Sequence, residues 1–287
     1  MFLDKYKPVA IPNFTFPPNP NFYYFYKFFG HGVLVYDGKF SFYTTKFDYQ
    51  GRGKIISDYS KIKVKYVDGD FLPGKNIHSK LEKLREIKTE KEIKLIKKSC
   101  DAANRVLKKI KIFGRTEMEV AKDIELSLAK RGFYEAFPTI VSTEPHVHHI
   151  NTSKVIKKSD TVLIDFGAWN GYASDITRMI NEPDELRRII DNVFEFAHDC
   201  VKPGVRIRDF CAGVRKIMGK YSAYFPHALG HGVGISVHEL PAVSIRSKET
   251  FEEGMVFTIE PGVYMKKKFM RIEDVFVLRH DGIEKLS

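Results

Sequence analysis

Cysteine is scarce in this chain of 287 residues, which has three: Cys100, Cys200 and Cys211. Their number is odd, and no two of them have the C-x-x-C spacing of a redox or metal motif. This pattern argues against a disulfide framework and fits a reducing compartment. We therefore expect a cytoplasmic protein.

Long uncharged apolar runs are also lacking. The longest uncharged stretch near the start, Val9 to Tyr26, is interrupted by prolines at positions 12, 17, 18 and 20. A signal peptide needs a continuous apolar segment after its basic residues, and a membrane-spanning helix needs about 20 apolar residues. We expect neither a signal peptide nor a membrane span.

Acidic residues are outnumbered by basic ones. The 47 lysines and arginines against 36 aspartates and glutamates give a net charge of +11, and the lysines are spread along the chain. A dispersed excess of lysine is typical of a solvated surface, whereas a nucleic-acid site is expected to gather its charge in one patch or arm. No specific nucleic-acid partner is expected.

Apolar residues are abundant, with 43% hydrophobic and 13% aromatic residues. This composition can bury a large core, in one domain or in two unequal ones. Residues 1–76 alternate aromatic and β-branched residues with turn signals, and Asp37-Gly38 lies between two such runs, as in a β-hairpin. We expect a small domain over residues 1–76 and a larger one over residues 77–287.

Helix signals begin after the small domain. Two capping-box patterns, Thr89 with Glu92 and Thr116 with Glu119, each precede a stretch with apolar residues at helical spacing. Glycines 114 and 132 are the expected stops of these two helices. The sequence predicts helices over about residues 89–114, 116–132, 184–201 and 207–218.

Two stretches in the larger domain share one plan. TVLIDFGA is followed by a turn and by YASDITRMI, and MVFTIEPGVY is followed by FMRIEDVFVL. The two predicted hairpins look like related halves, with one carboxylate on each arm and a histidine between them in the chain. Four carboxylates and one imidazole can hold two adjacent divalent ions. The candidate ligands are Asp165, Asp175, His231, Glu260 and Glu273.

Whether Asp165 and Asp175 share a face depends on the turn between them, because a slip of one residue turns a side chain to the opposite face. A two-residue loop, Asn170-Gly171, would pair Asp165 with Ile176 and separate the carboxylates. A three-residue loop, Trp169–Gly171, would pair Asp165 directly with Asp175, with Cβ atoms about 4.5 to 5.5 Å apart. We predict the three-residue loop. The alternative is that both are ordinary solvent-facing residues, which suits Asp165 poorly because it follows three apolar residues.

Five strings in one order carry a family resemblance: LIDFG, SDITR, HALGHGVGISVHELP, FTIEPGVY and RIED. Together they resemble the dinuclear-metal peptidases of the pita-bread fold, in the branch of Xaa-Pro dipeptidases (prolidases) and Xaa-Pro aminopeptidases. The resemblance covers about residues 80–287. It implies an α+β fold with two pseudo-symmetric halves and a curved antiparallel sheet covered by helices. FYYFYKFFGHGVLVYDG resembles the small α/β domain that precedes the catalytic domain in that branch, here shortened.

The resemblance also implies how the ligands divide. Asp165, Asp175 and Glu273 would hold a first ion, and Asp175, His231, Glu260 and Glu273 a second. Oxygen ligands with one imidazole suit Mn, Co, Fe or Zn. The family usually separates its two hairpin aspartates by one residue more, so this hairpin has a shorter turn.

Further roles follow from the same resemblance. It implies that His148, His227, His238 and Glu260 are catalytic, with the histidines stabilising an oxyanion and Glu260 shuttling a proton. It implies that His148, His238 and Arg271 bind substrate. The choice of His148 over its neighbour His149 rests on the resemblance alone.

Two of these roles have alternatives. His227 and His238 could instead support the metal-binding histidine as hydrogen-bonding neighbours. Arg271 could pair with Glu273 or Asp274, or it could bind a substrate carboxylate.

The implied activity is that of a metal-dependent exopeptidase that cleaves the bond before proline, with a hydroxide bridging two divalent ions as the nucleophile. The expected substrates are small peptides with proline at the second position, and a homodimer is expected from the family. A methionine aminopeptidase is one alternative, although PGVY, RIED and the small first domain favour the proline branch. A non-catalytic binding or scaffold protein of the same fold is the other, although all five ligands are present.

Overall fold

The computed structural model describes residues 1–14, 18–28, 30–45, 53–146 and 150–287. These residues form two compact units, Met1–Arg85 and Glu86–Ser287. The observed division, after Arg85, lies later in the chain than the one expected after residue 76. The reason is that Leu81 of the following helix packs in the core of the first unit with Leu3 and Ile77. None of the helices in the described ranges is both long enough and apolar enough to cross a membrane.

The first unit combines one sheet with two helices in its described residues. Its elements are β1 (Val9–Asn13), α1 (Pro20–Tyr26), β2 (Gly32–Tyr36), β3 (Phe40–Thr44), β4 (Lys54–Ile55), β5 (Tyr66–Val67), β6 (Lys75–Asn76) and α2 (His78–Glu86). The strand order is β4-β3-β2-β1-β5-β6, with β1 antiparallel to β2 and parallel to β5. Phe22 of α1 and Leu81 of α2 share a buried cluster with Val9, Ile11 and Leu34, so the helices cover one face of the sheet.

The hairpin predicted at Asp37-Gly38 is confirmed. Strands β2 and β3 pair antiparallel with Tyr36 opposite Phe40, which leaves a three-residue turn. Gly38 lies in the left-handed region with φ of +79°, where glycine is at little steric cost.

Two helices of the second unit, α3 and α4, begin where the capping boxes predicted. The side-chain oxygens of Thr89 and Thr116 accept the backbone N–H groups of Glu92 and Glu119, and each glutamate carboxylate accepts the N–H of its threonine. These bonds satisfy N–H groups that a helix start otherwise leaves unpaired. The helices are α3 (Glu90–Leu107), α4 (Glu117–Ala129), α5 (Asp184–Cys200) and α6 (Ile207–Met218).

The predicted end of α3 near Gly114 is wrong, because the helix ends at Leu107. Ile110 and Ile112 follow it in a loop and pack against the same buried cluster as the helix. The apolar spacing therefore continued beyond the helix because the loop also lies on the core.

The strands of the second unit pair antiparallel. They are β7 (Tyr134–Glu135), β8 (Ile140–Ser142), β9 (Val162–Phe166), β10 (Ala168–Trp169), β11 (Ile176–Ile180), β12 (Gly230–Gly232), β13 (Glu239–Val243), β14 (Val256–Ile259), β15 (Gly262–Tyr264), β16 (Phe269–Arg271), β17 (Asp274–Arg279) and β18 (Gly282–Lys285). The two larger sheets have the orders β11-β9-β8 and β13-β12-β14-β17-β18, and β10-β7 and β15-β16 form short ladders.

Each larger sheet packs against one pair of helices. Helices α3 and α4 share a buried cluster with β9, and α5 and α6 share another with β14 and β17. A backbone bridge between Thr177 of β11 and Glu273 joins the two halves. The second unit thus has an α+β architecture in two halves of similar plan, as expected.

Candidate metal centre

The first hairpin places its two aspartates on one face, but not in the predicted register. Asp165 lies opposite Thr177, and Trp169 lies opposite Ala173. The loop therefore has three residues, as predicted, but it is Asn170–Tyr172 rather than Trp169–Gly171. Asp175 is two residues from the partner of Asp165, so it is a diagonal neighbour on the same face rather than the direct partner.

The register differs because Trp169 belongs to a strand and not to the turn. Trp169 pairs with Tyr134 in the β10-β7 ladder, and its indole N–H donates to the carbonyl of Ile235 at 2.7 Å. Gly171 takes the left-handed conformation of the turn, with φ of +82°. The partners of Trp169 lie far away in the sequence, so the local pattern of turn residues could not reveal them.

The second hairpin places its two glutamates opposite each other. Ile259 pairs with Asp274 on one side of a gap in the ladder, and Gly262 pairs with Arg271 on the other. The register is the same on both sides, so Glu260 stands opposite Glu273 within the gap. Their backbone N–H groups bond elsewhere, Glu260 to the carbonyl of Leu229 at 2.8 Å and Glu273 to that of Thr177 at 3.2 Å.

His231 lies on β12 between β13 and β14, flanked by two glycines. A Cβ on Gly230 would lie 2.0 Å from the carbonyl oxygen of Thr258, and one on Gly232 would lie 2.0 Å from that of Leu240. The glycines therefore permit close backbone packing beside the site. The Nδ1 atom of His231 lies 3.1 Å from the Gly232 carbonyl oxygen, which leaves Nε2 facing the carboxylates.

Three of the four predicted carboxylate ligands surround the Nε2 atom of His231. Nε2 lies 3.4 Å from Asp175, 3.8 Å from Glu260 and 3.9 Å from Glu273. Asp175, His231 and Glu273 each offer a ligand atom within 4.8 Å of the others, a spacing that could hold one metal ion. Asp165 lies next to this group, where its carboxylate pairs with the guanidinium of Arg271.

The donor set fits a divalent cation. One carboxylate oxygen on each of Asp165, Asp175 and Glu273 is buried without a hydrogen-bond partner among the residues that the structure describes. Such oxygens are costly to bury, and a bound cation would satisfy them. Hard oxygen donors with one imidazole are ligands that Mn, Fe, Co and Zn accept.

Burial and crowding raise the pKa values of three carboxyl groups at the site, those of Asp175, Glu260 and Asp165. Burial raises the pKa of Asp175 well above its usual range, and the charges of Glu273 and Asp165 add to that effect. Burial and Glu273 do the same for the pKa of Glu260. Burial raises the pKa of Asp165 to about 6, opposed by the charge of Arg271. Four carboxylates cannot all be charged here at low cost unless a cation neutralises them.

Arg271 is buried within the site and donates to three side chains there. Its guanidinium donates to the Thr177 hydroxyl at 3.1 Å, to the Tyr264 hydroxyl at 3.0 Å and to the carboxylate of Asp165. It therefore pairs with Asp165, whereas the sequence suggested Glu273 or Asp274. A role in binding substrate stays a prediction.

The predicted histidines have separate positions. Nε2 of His227 lies 3.1 Å from the Tyr264 hydroxyl, and its Nδ1 lies 3.6 Å from a carboxylate oxygen of Glu260. The exposed ring of His238 lies against that of His231, with centroids 4.3 Å apart. His148 lies outside the described residues, as does His149.

Two residues that sequence reasoning missed complete the hydrogen-bonding network. The Thr177 hydroxyl donates to Glu273 at 2.8 Å and accepts from Arg271, and the Tyr264 hydroxyl links Arg271 to His227. Thr177 follows Asp175 by two residues, so strand alternation could have placed both side chains on one face. Tyr264 ends the FTIEPGVY string and had no comparable signal.

All five predicted ligands line one cavity of about 400 Å³. His227, His238 and Arg271 share its wall, and Phe137 and Ile140 give it an apolar side. A cavity of this size with convergent polar groups is typical of a small-ligand site. The arrangement is of the kind used by metal-dependent hydrolases.

Comparison with known proteins agrees with this class. The profile of metallopeptidase family M24 matches residues 94–280, and the chain belongs to this family. It is similar to an uncharacterized peptidase of Methanocaldococcus jannaschii, with 38% identity over 244 residues that cover 78% of this chain and 69% of the relative. It is also similar to the Xaa-Pro dipeptidase of Pyrococcus furiosus, with 37% identity over 230 residues, or 74% of this chain and 66% of that protein. The match to the second relative thus spans just under two thirds of its length.

Solved structures agree over nearly the whole chain. The prolidase of Pyrococcus horikoshii has a TM-score of 0.85 at 30% identity, covering 99% of this chain and 95% of that one. The X-Pro aminopeptidase of Thermotoga maritima has a TM-score of 0.86 at 26% identity, covering 99% and 96%. The chain has the pita-bread fold, and it is a hydrolase of the peptidase class.

Proposed function

We propose that this peptidase is a metal-dependent exopeptidase that hydrolyses the peptide bond before proline. The observation that carries the proposal is the cluster of Asp175, His231 and Glu273, with ligand atoms within 4.8 Å of one another. Asp175, Glu273 and the adjoining Asp165 each bury a carboxylate oxygen that has no hydrogen-bond partner in the described part of the chain. Relatives named Xaa-Pro dipeptidase and prolidase support the choice of proline. Small peptides with proline at the second position are the proposed substrates.

The five ligands would hold two divalent ions. Asp165, Asp175 and Glu273 would bind the first, and Asp175, His231, Glu260 and Glu273 the second. The donor chemistry suits Mn, Co, Fe or Zn. Two such ions, when bound, supply a nucleophile near neutral pH and polarise the scissile carbonyl.

Glu260 is the proposed proton carrier. The leaving group before proline is a secondary amine, which must gain a proton as the bond breaks. The carboxylate of Glu260 lines the cavity, 3.6 Å from Nδ1 of His227 and 3.8 Å from Nε2 of His231, so it can receive a proton at the centre and deliver it to the amine.

The histidines and Arg271 are proposed to hold the substrate. His238 is exposed on the cavity wall and can donate to the carbonyl oxygen as negative charge develops there. His227 is oriented by Tyr264 and faces the same cavity. His148 is proposed for the same task from the resemblance of its sequence position. Arg271 is proposed to bind substrate while it holds Asp165.

The carboxyl end of the substrate has a candidate site of its own. A second cavity of about 370 Å³ shares His227 and Ala228 with the first and is lined by Arg215 and Arg246. Arg246 is exposed and has no carboxylate within 4.0 Å among the residues that the structure describes. A guanidinium at this place suits a free carboxylate, so we favour the dipeptidase over the aminopeptidase. A cytoplasmic homodimer remains part of the proposal.

One assay separates this function from its alternatives. The protein is stripped with a chelator, supplied with Mn, Co or Zn, and offered Xaa-Pro dipeptides, Xaa-Pro-Yaa tripeptides and Met-Ala-Ser. We expect hydrolysis of Xaa-Pro dipeptides only when metal is returned. Cleavage of the methionine peptide alone would indicate a methionine aminopeptidase, and no cleavage with any metal would indicate a scaffold.

The carboxyl-end site has its own test. Arg246→Ala should raise KM for Xaa-Pro dipeptides about 10-fold or more, because a charged hydrogen bond is lost, with little change in kcat. Arg188→Ala, at an exposed position on α5, is the matched control. An unchanged KM would remove Arg246 from substrate recognition.

A further inference from the structure

Outside the predicted ligands, the structure contains a buried ion pair at the wall of the cavity. The ammonium nitrogen of Lys88 lies 3.5 Å from a carboxylate oxygen of Glu239, and both side chains are 2% exposed. Lys88 precedes helix α3, and Glu239 directly follows His238 and lines the same cavity as the predicted ligands. Nothing in the proposed chemistry uses either residue.

This pair is held firmly on the lysine side. The backbone N–H of Lys88 donates to the Gly254 carbonyl at 2.9 Å, and its ammonium donates to the Glu86 carbonyl at 3.2 Å. The neighbouring residue, Ile87, forms a backbone bridge with Met255 at the start of β14. The backbone that carries Lys88 is therefore fixed to the segment that leads into β14 and on to Glu260.

Glu239 in turn holds the segment between the two histidines. Its second carboxylate oxygen accepts the backbone N–H of Ser236 at 3.0 Å. Gly234 lies so close to this carboxylate that an added Cβ would be 2.4 Å from an oxygen, so a larger residue there would displace the Glu239 carboxylate. The carbonyl of Gly234 accepts the N–H of Ala173 at 2.7 Å. The segment from residue 232 to residue 239 is thus fastened at several points.

His238 is the member of this segment that reaches the site. Its ring packs against His231, with centroids 4.3 Å apart, and it is exposed to the cavity rather than buried. An exposed ring has several rotamers open to it, so the backbone beneath it must be fixed if the ring is to meet substrate in one place. Glu239 supplies the nearest fixed point.

A buried ion pair is a poor way to gain stability, since the cost of removing two charges from water offsets much of their attraction. A role in positioning neighbouring groups explains the pair better than a role in stability, because a buried charge pair favours one arrangement of the two side chains. We propose that Lys88 is a positioning residue, which acts through Glu239 to hold His238 in its working orientation over the metal centre. This inference rests on the proposed function of the site.

The test is a double-mutant cycle on the pair. Lys88→Met and Glu239→Gln should each lower kcat for an Xaa-Pro dipeptide at least tenfold, with KM changed less than threefold. The double variant should lose no more than the worse single variant, because both changes remove one interaction. Affinity for Mn²⁺, measured by calorimetry, should stay within about threefold of the original protein.

Two control variants separate positioning from loss of stability. Lys122→Met removes an exposed lysine, paired with Glu125 at 2.7 Å on α4, and should leave kcat unchanged. Val106→Ala weakens the buried cluster under α3 and should lower the unfolding midpoint without lowering kcat. A loss of kcat in Val106→Ala equal to that in Lys88→Met would overturn the proposal, as would multiplicative losses in the cycle.

A second measurement needs no catalysis. Diethyl pyrocarbonate modification followed by mass spectrometry should show a rate at His238 that differs at least threefold between Lys88→Met and the original protein. His280, which is 94% exposed, is the internal reference and should not change. If the original protein cleaved no peptide with any metal, the proposed function would fail while this rate still decided the positioning role. An unchanged rate at His238 would refute it.

Discussion

Both metal-site hairpins of the second unit place their two carboxylates on one face, but their strands pair in different registers. In the second, Glu260 and Glu273 stand opposite each other at a gap in the ladder. In the first, Asp165 lies opposite Thr177, and Asp175 occupies the diagonal position beyond the end of the ladder. Each hairpin still sends one carboxylate into the tight group with His231, Asp175 from the first and Glu273 from the second. A shared face is therefore what the site requires, and direct pairing is one of two ways to obtain it.

The remaining carboxylate of each hairpin has a different neighbour. Asp165 is paired with the buried guanidinium of Arg271, whereas Glu260 lies beside His227 and His231. Asp165 is held by a fixed charge, and Glu260 lies beside two imidazole rings. The two halves have the same backbone plan, but the side chains around Asp165 differ in chemistry from those around Glu260.

The largest expected effect is at Asp175, the aspartate of the first hairpin that lies in the group with His231 and Glu273. Asp175→Asn should lower kcat/KM by more than about 100-fold, because Asp175 would bind both ions. Loss of a residue that only orients a metal ligand costs up to about 100-fold. The peptidase assay with Mn²⁺ measures this. Asp199→Asn, an exposed aspartate on α5, is the control. Full activity in Asp175→Asn would show that the diagonal position does not supply a ligand.

Metal removal should lower the free energy of unfolding, because the clustered carboxylates then repel one another without a cation between them. Mn²⁺ at 100 times its Kd should raise the free energy of unfolding by about 2.7 kcal/mol, since only the folded state assembles the site. Urea titration with and without Mn²⁺ measures the difference. In Asp175→Asn the gain should be smaller, and an equal gain in both proteins would place the ion elsewhere.

Thr177 tests the bond between the hairpins. Thr177→Val removes the hydroxyl that joins Arg271 to Glu273 and should lower kcat/KM about 10 to 100-fold, the usual cost of losing a group that orients a ligand. Thr177→Ser keeps the hydroxyl and should retain most of the activity. Equal activities in the two variants would mean that the hydroxyl has no part in orienting Glu273.

The smallest effect is expected at the residue that sets the register of the first hairpin. Trp169→Phe leaves the buried carbonyl of Ile235 without its donor and should lower the free energy of unfolding by about 1 to 3 kcal/mol. Tyr224→Phe, at an exposed aromatic position, is the control for urea titration. If Trp169→Phe were as stable as the original protein, the indole bond would not explain why the turn begins one residue later.

The sequence was most informative where the signal was local or periodic. The capping boxes at Thr89 and Thr116 gave correct helix starts, and the hairpin at Asp37-Gly38 was visible from its turn residues. The face shared by Asp165 and Asp175 was predicted correctly, while their register was not, because Trp169 is held by partners more than 30 residues away in the chain.

Three other features could not be predicted from local sequence patterns, because they depend on residues that are distant in the chain. The end of α3 was missed because the loop after Leu107 continues to cover the core. The partner of Arg271 was missed because it lies on the other hairpin, and Tyr264 was missed because its hydroxyl connects two side chains that the chain keeps apart. Long-range contacts decided each of these points.

The bridge between Thr177 and Glu273 also bears on how such a centre could arise. A polypeptide that ended before residue 182 would contain Asp165 and Asp175 but neither the imidazole nor the glutamates, and the remainder would lack both aspartates. Neither piece alone could assemble the donor set. The donor set therefore forms only once the two halves have packed together in the folded chain.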